Sequence, residues 1–271
     1  MLKYRILTAA ILIPLAVALV FFAPPVIFCG LTGGITLWAF WEWSAFVQFQ
    51  KKSQRFYYLI ISYLLMTVAF VTFSPTFLMV TLLWWLFATG LVIAYPGLSS
   101  WWGKGMAWRS IMGWLVLIPC WVTINFMRNV PNGAWMLLYL FVLVWGADSG
   151  AYFVGRQWGK HKLAAQVSPG KTWQGLIGAI VCGAIITAVA LWLLALPYLM
   201  WPWAMGLALI TVIFSVIGDL FESMLKRQAN LKDSGALLPG HGGVLDRIDS
   251  LTAAAPIFAL GALILGHVVV S

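Results

Sequence analysis

Residues 223–250, SMLKRQANLKDSGALLPGHGGVLDRIDS, crowd four bases, three aspartates, His241 and four glycines into one stretch. Lys226, Arg227, Lys232 and Arg247 can neutralise phosphates. Asp246 and Asp249 stand three residues apart, the spacing that puts two side chains on one helix face. His241-Gly242-Gly243 can bring flexible backbone N–H groups close to an anion. A solvated charged loop is the bland alternative, but such loops are seldom so rich in glycine and mixed charge. Just upstream, Asp219 and Glu222 repeat the i, i+3 spacing. Two adjacent acids repel unless a cation or base stands between them, and that partner is either a metal ion or the nearby Lys226 and Arg227.

A second segment, Ser168-Pro169-Gly170-Lys171-Thr172-Trp173-Gln174-Gly175, falls just before an apolar run. At a helix N-terminus, Lys171 and Thr172 would offer an anion site through backbone N–H groups and the helix dipole; the alternative is a lysine anchoring the interface. Gly-Lys-Thr does not make a phosphate loop, because position 165 is Ala165 where that loop needs glycine, and no strand is expected to precede it. Asp148, in Trp145-Gly146-Ala147-Asp148-Ser149-Gly150, lies inside an apolar run, where an ionisable group is expensive and points to function; a hydrogen-bonded structural Asp is the other reading. Carboxylates with phosphate partners suit Mg²⁺, and the lone His241 argues against a His-rich zinc site. The chemistry is hard-metal phosphoryl transfer.

These groups must be positioned by membrane-spanning elements. Of the 271 residues 63% are hydrophobic and 8% charged, against about 25% charged in a soluble domain. Lipid must therefore be the solvent. Apolar windows of bilayer-crossing length predict nine spans at 6–23, 26–47, 57–73, 76–95, 109–127, 134–154, 174–196, 199–218 and 250–270, an all-α polytopic membrane protein. Pro24-Pro25, Ser74-Pro75, Pro131-Asn132-Gly133 and Pro197 to Pro202 mark the tight turns. The basic start, Lys3 and Arg5, followed by an apolar run resembles a signal sequence with a small-x-small site at Ala16-Val17-Ala18. The run continues to Ala23 and more spans follow, so an uncleaved first span is expected.

With the N-terminus cytoplasmic, Arg128 alone of the 16 basic residues falls outside, as the positive-inside rule requires. This places the C-terminus outside. All seven acids, Glu42, Asp148, Asp219, Glu222, Asp233, Asp246 and Asp249, fall on the cytoplasmic side as well. Acids do not obey that rule, and a cytoplasm-facing site explains their bias. The chain divides into an N-terminal region, 1–130, with about five spans, and a C-terminal catalytic region, 131–271, with cytoplasmic loops 155–173 and 219–249. The first region is nearly silent about chemistry. Asp148 is expected within two turns of the inner end of the sixth span. Cys29, Cys120 and Cys182 match no zinc or redox spacing, and the basic residues show no stripe interleaved with exposed aromatics, which argues against nucleic acid.

The stretch Ser223 to Asp249 also resembles the phosphatidate cytidylyltransferase (CDP-diacylglycerol synthase) family. It fills every specified position of that signature, S-x-φ-K-R-x4-K-D-x-G-x2-φ-P-x-H-G-G-φ-x-D-R-φ-D. Segment 145–175 adds similarity; Gln174 stands where some members carry Glu. The resemblance implies transfer of CMP from CTP to phosphatidate, giving CDP-diacylglycerol and pyrophosphate with Mg²⁺ and a second, monovalent cation. Asp219, Asp246 and Asp249 would hold metal, with Asp148 completing the site. Lys226, Arg227, Lys232 and Arg247 would share the catalytic charge. Lys171, Thr172, Ser168, Ser223, His241, Gly242 and Gly243 would bind substrate. A bacterial inner membrane and a homodimer are implied too, though Gly30-x-x-x-Gly34 is a weak contact motif. Two competitors lack support. A phosphotransferase that consumes CDP-diacylglycerol would show D-G-x2-A-R-x8-G-x3-D-x3-D, which is absent. A transporter would place charges near the midplane of both halves.

Overall fold

The computed structural model describes residues 2–97, 99, 105–237 and 242–270, with backbone alone at 2–9 and 267–270. Nine α-helices with these bounds occur among them, with a 3-10 turn at Tyr198–Met200: α1 (Leu2–Phe22), α2 (Pro25–Val47), α3 (Lys52–Val71), α4 (Pro75–Ala94), α5 (Met106–Asn129), α6 (Gly133–Trp158), α7 (Trp173–Leu193), α8 (Trp201–Gln228) and α9 (Leu245–Val270). Eight of these, α2 to α9, are long and apolar enough to cross a bilayer, and α1 contributes the apolar stretch Ala10–Phe22. The protein is an all-α polytopic membrane protein.

Every expected span has its helix, but several helices outrun their hydropathy windows. α6 ends at Trp158, α8 at Gln228, and α9 starts at Leu245. A window stops where polar residues begin; helical hydrogen bonding does not. Asp148 consequently lies nearly three turns from the end of α6 instead of within two, and its side chain is exposed.

The absence of a strand before Thr172 is overturned. Strands β1 (Lys162–Ala164) and β2 (Ser168–Thr172) pair antiparallel, with Lys162 opposite Thr172 and Ala164 opposite Ser168. The Val167 N–H closes the turn onto the Ala164 carbonyl at 3.1 Å. Gly170-Lys171-Thr172 is thus extended chain feeding directly into α7, and with Ala165 at the glycine position it remains unlike a phosphate loop.

The chain forms two compact units. One comprises 1–74, 97–138 and 225–249. In it α2 and α3 pack on α5 around Phe40, Trp43, Phe46 and Met112, all fully buried. The Trp43 indole donates to the Arg109 carbonyl (2.9 Å) and the Tyr58 hydroxyl to the Ser110 carbonyl (3.2 Å). Gly113 on α5 makes room, since a Cβ there would overlap both aromatic side chains. Buried Arg109 donates through Nη1 to the Phe46 carbonyl and to Gln48 Oε1, both at 2.9 Å. It thereby satisfies a helix-end acceptor and sets a positive charge at the negative end of the α2 dipole.

The other unit comprises 75–96, 139–224 and 250–271. Here α6 and α7 approach backbone to backbone: a Cβ on Gly150 would lie 2.7 Å from the Gly178 carbonyl oxygen, and one on Gly178 would lie 2.6 Å from Val154. Without a hydrophobic force between helices in lipid, such small-residue contacts permit close packing. Leu143, Ala147, Ala179, Ala208 and Val212 form its core, and Trp84 and Trp85 meet Phe221 edge-on. Gly30 and Gly34 have nothing within 4 Å of a built Cβ, so that motif serves no contact inside the described chain.

Candidate active site

In the second unit, the β2–α7 junction carries Lys171 to α8. Its ammonium lies 2.8 Å from Asp219 Oδ2 and 3.4 Å from the Val216 carbonyl. The Ser223 hydroxyl, one turn along α8, donates to Asp219 Oδ1 at 3.2 Å. The side chains of Lys171 and Asp219 are 23% and 30% exposed, so the pair is open to a solute. Thr172 caps α7, its hydroxyl accepting the Gly175 N–H at 3.1 Å. Gln174 fastens the hairpin: its amide oxygen accepts the N–H groups of Lys160 and His161, each at 3.2 Å, and its nitrogen reaches His161 Nδ1 at 3.0 Å. Ser168 is half-buried in β2. Asp148 accepts a long hydrogen bond from Ser250 on α9 (3.5 Å).

In the first unit, Asp246 lies in the first turn of α9 and is crowded with donors. Its Oδ1 faces Lys226 Nζ at 2.6 Å, and its Oδ2 accepts from the Ser234 N–H (3.0 Å), the Ser234 hydroxyl (2.9 Å) and the Gly243 N–H (2.8 Å). Four donors match the roughly four lone-pair sites of a carboxylate. The Lys226 and Asp246 side chains are 12% and 8% exposed, a closed pair. The two glycines serve different needs. Gly242 has φ +79°, a left-handed backbone that glycine adopts without cost, whereas a Cβ on Gly243 would overlap the Ser234 hydroxyl and the Glu42 carboxylate. The N–H expected to meet a substrate anion is thus aimed at the protein's own Asp246.

Asp249 follows Asp246 by one turn of α9 and is half-buried; Arg227, Lys232 and Arg247 are exposed. Glu222, spaced for one face with Asp219, is buried. His241 and Lys104 lie outside the described residues. Sequence reasoning missed Glu42, which sits 5% exposed and accepts from the Val244 N–H (3.0 Å), the Leu245 N–H (2.8 Å) and the Ser234 hydroxyl (3.1 Å). A lone acid deep in α2 was the one signal available, and its partners lie some two hundred residues away in the sequence.

A magnesium ion would find hard oxygens partly open to solvent at Asp219, beside the Lys171 ammonium, whereas the oxygens of Asp246 are already taken up by Lys226, Ser234 and Gly243. Among the described residues no three His, Cys, Asp or Glu side chains gather as a ready metal cage. One or two carboxylates completed by substrate phosphates is the usual magnesium arrangement.

Lysine–carboxylate pairs carried on helices of bilayer-crossing length describe a multi-span membrane protein. The chain belongs to the cytidylyltransferase family, whose model matches residues 3–265. It is 42% identical over 262 residues to the phosphatidate cytidylyltransferase of Pseudomonas aeruginosa, covering 96% of either chain. To that of Haemophilus influenzae it is 37% identical over 281 residues, covering 96% of this chain and 98% of the relative. The Staphylococcus haemolyticus protein of the same name is 44% identical over 135 residues, about half of each chain.

Proposed function

We propose that this protein transfers CMP from CTP to phosphatidate, giving CDP-diacylglycerol and pyrophosphate, at the cytoplasmic face of a bacterial inner membrane. The observation that carries the reading is the set of polar side chains along α8: Asp219, Ser223 and Lys226 recur at i, i+4 and i+7, one helix face, each bonded to an acid or base. Relatives of that activity match nearly the whole chain.

The nucleophile is a phosphate oxygen of phosphatidate. With a second pKa of about 6 that phosphate is already mostly dianionic at neutral pH, so no general base is required, in keeping with a site built of lysines and carboxylates. The oxygen attacks the α-phosphorus of CTP; a new P–O–P bridge forms, the bond from the α-phosphorus to the bridging oxygen breaks, and pyrophosphate leaves with that electron pair. No proton needs to move.

The difficulty is the approach of two anions. Lys171 and Lys226 can each turn from its carboxylate to a phosphate oxygen, and Arg227, Lys232 and Arg247 spread the remaining charge. Ser168, Ser223, Thr172 and the Gly242–Gly243 turn would bind substrate, Thr172 also capping α7 and Ser223 also bonding Asp219. In one unit Asp219 would hold magnesium and Asp148 a second, monovalent ion; in the other Asp246 and Asp249 would hold magnesium once Lys226 turns to a phosphate; such a metal, when bound, would draw charge from the phosphates. Phosphatidate can enter sideways from the inner leaflet, which accounts for polar groups placed at helix ends.

The test is purified protein in detergent with labelled CTP and phosphatidate, with and without magnesium. Label is expected in the lipid fraction only when magnesium is present. A folded preparation that puts no label into lipid would overturn the activity, and equal labelling in a chelator would overturn the metal.

A further inference from the structure

Glu42 lies on α2, far in sequence from the charged segment, yet its carboxylate is surrounded by that segment. Oε1 accepts the Val244 N–H and the Trp38 indole N–H; Oε2 accepts the Leu245 N–H and the Ser234 hydroxyl. Val244 immediately precedes α9 and Leu245 is its first residue, at a helix N-terminus where free N–H groups and the helix dipole favour a negative charge. A glutamate from α2 therefore caps α9 from outside.

The same hydroxyl that reaches Glu42 Oε2 at 3.1 Å reaches Asp246 Oδ2 at 2.9 Å. Ser234 has one hydroxyl proton and two carboxylates within reach, so it couples them. Space has been cleared for this: a Cβ on Gly235 or Gly243 would overlap the Glu42 carboxylate. The end of α2 is itself held, by Arg109 on the Phe46 carbonyl. All these groups belong to one compact unit.

We propose that Glu42 is a positioning residue for the reaction, fixing Asp246, and through it Lys226, by way of Ser234 and the α9 N-terminus. The proposal rests on the cytidylyltransferase reading above for what the positioned groups do. It assigns Glu42 no contact with substrate. Glu42→Gln keeps the shape but turns an NH₂ toward N–H donors, so the cap cannot be remade.

The full chain is purified in detergent as wild type, E42Q, S234A and the double variant. E42Q is expected to lower turnover about 10–100-fold, as loss of a partner that orients a site residue does. Because both changes cut one path, the double variant should be no slower than E42Q, whereas independent losses would multiply. Hydrogen exchange gives a readout that needs no activity. In E42Q the amides of 242–247 should exchange at least about tenfold faster, the factor that follows from losing hydrogen bonds to a charged acceptor, with α5 unchanged.

Wild-type-like turnover in E42Q, multiplicative losses, or unchanged exchange at 242–247 would each overturn the proposal. Should E42Q fail to accumulate, S234A decides, with a several-fold slower, folded protein expected and full turnover refuting. If wild type itself transfers no CMP, the activity reading falls, and the exchange result alone decides whether Glu42 holds the segment.

Discussion

Asp246→Asn does two separate things. It removes an acceptor from three donors on Oδ2, and it leaves the nearly enclosed Lys226 ammonium with a neutral partner. Removing one member of a buried pair costs about 3–5 kcal/mol, so thermal unfolding in detergent should move markedly down. Turnover should drop by at least about a hundredfold, more than positioning alone explains. A variant with wild-type melting and wild-type turnover would refute the role of this pair. Lys171→Ala should behave differently, because Lys171 and Asp219 are more exposed and salt-screened. There the stability change should stay within about 1 kcal/mol while the KM for CTP rises, as initial rates across CTP concentrations will read. If stability collapsed and KM held, Lys171 would be a structural anchor only.

At the scale of elements, two expectations follow from local packing. Thr172→Ala removes the cap on α7 and should cost about 1 kcal/mol, read as a lowered melting midpoint that Thr172→Ser largely restores. Gly178→Val thrusts branched carbons into Val154 and the Gly150 carbonyl, and overpacking of this kind costs about 1–3 kcal/mol. Failure of either variant to lower the midpoint would contradict the packing described. The elements also show what the sequence could convey. Eight of the nine expected spans correspond to helices long and apolar enough to cross a bilayer, because hydropathy is a strong, local signal. The ends of α6 and α8 were not legible, because helical hydrogen bonding continues past the last apolar residue. The β1–β2 hairpin escaped because three to five mixed polar residues carry no period. The Lys171–Thr172 helix start was readable from spacing. The pairing of Lys171 with Asp219 and of Lys226 with Asp246 was not, since each joins separate elements. Glu42 was least legible: its partners at Val244 and Leu245 are backbone groups, which leave no mark in composition.

For the whole molecule the charge distribution makes the sharpest prediction: a bilayer between Asn132 and Gly170. Asn132 lies in the α5–α6 turn, next to the single basic residue assigned outside, Arg128. Gly170 lies in the hairpin after α6, exposed and with nothing within 4 Å of a built Cβ. Only α6, 26 residues long, intervenes between turn and hairpin, and about 20 apolar residues suffice to cross. A cysteine at Gly170, in a chain whose three native cysteines are replaced by alanine, should react with a membrane-impermeant maleimide in sealed inverted vesicles and stay protected in right-side-out ones. A cysteine at Asn132 should show the opposite pattern. CTP is too highly charged to cross lipid, so CTP-dependent labelling of phosphatidate should follow the Gly170 side and appear in inverted vesicles without permeabilisation. Labelling of both positions from one side would mean that α6 does not span. Exchange of the two patterns would reverse the orientation read from the basic residues, and with it the claim that the acids and lysines meet their nucleotide from the cytoplasm.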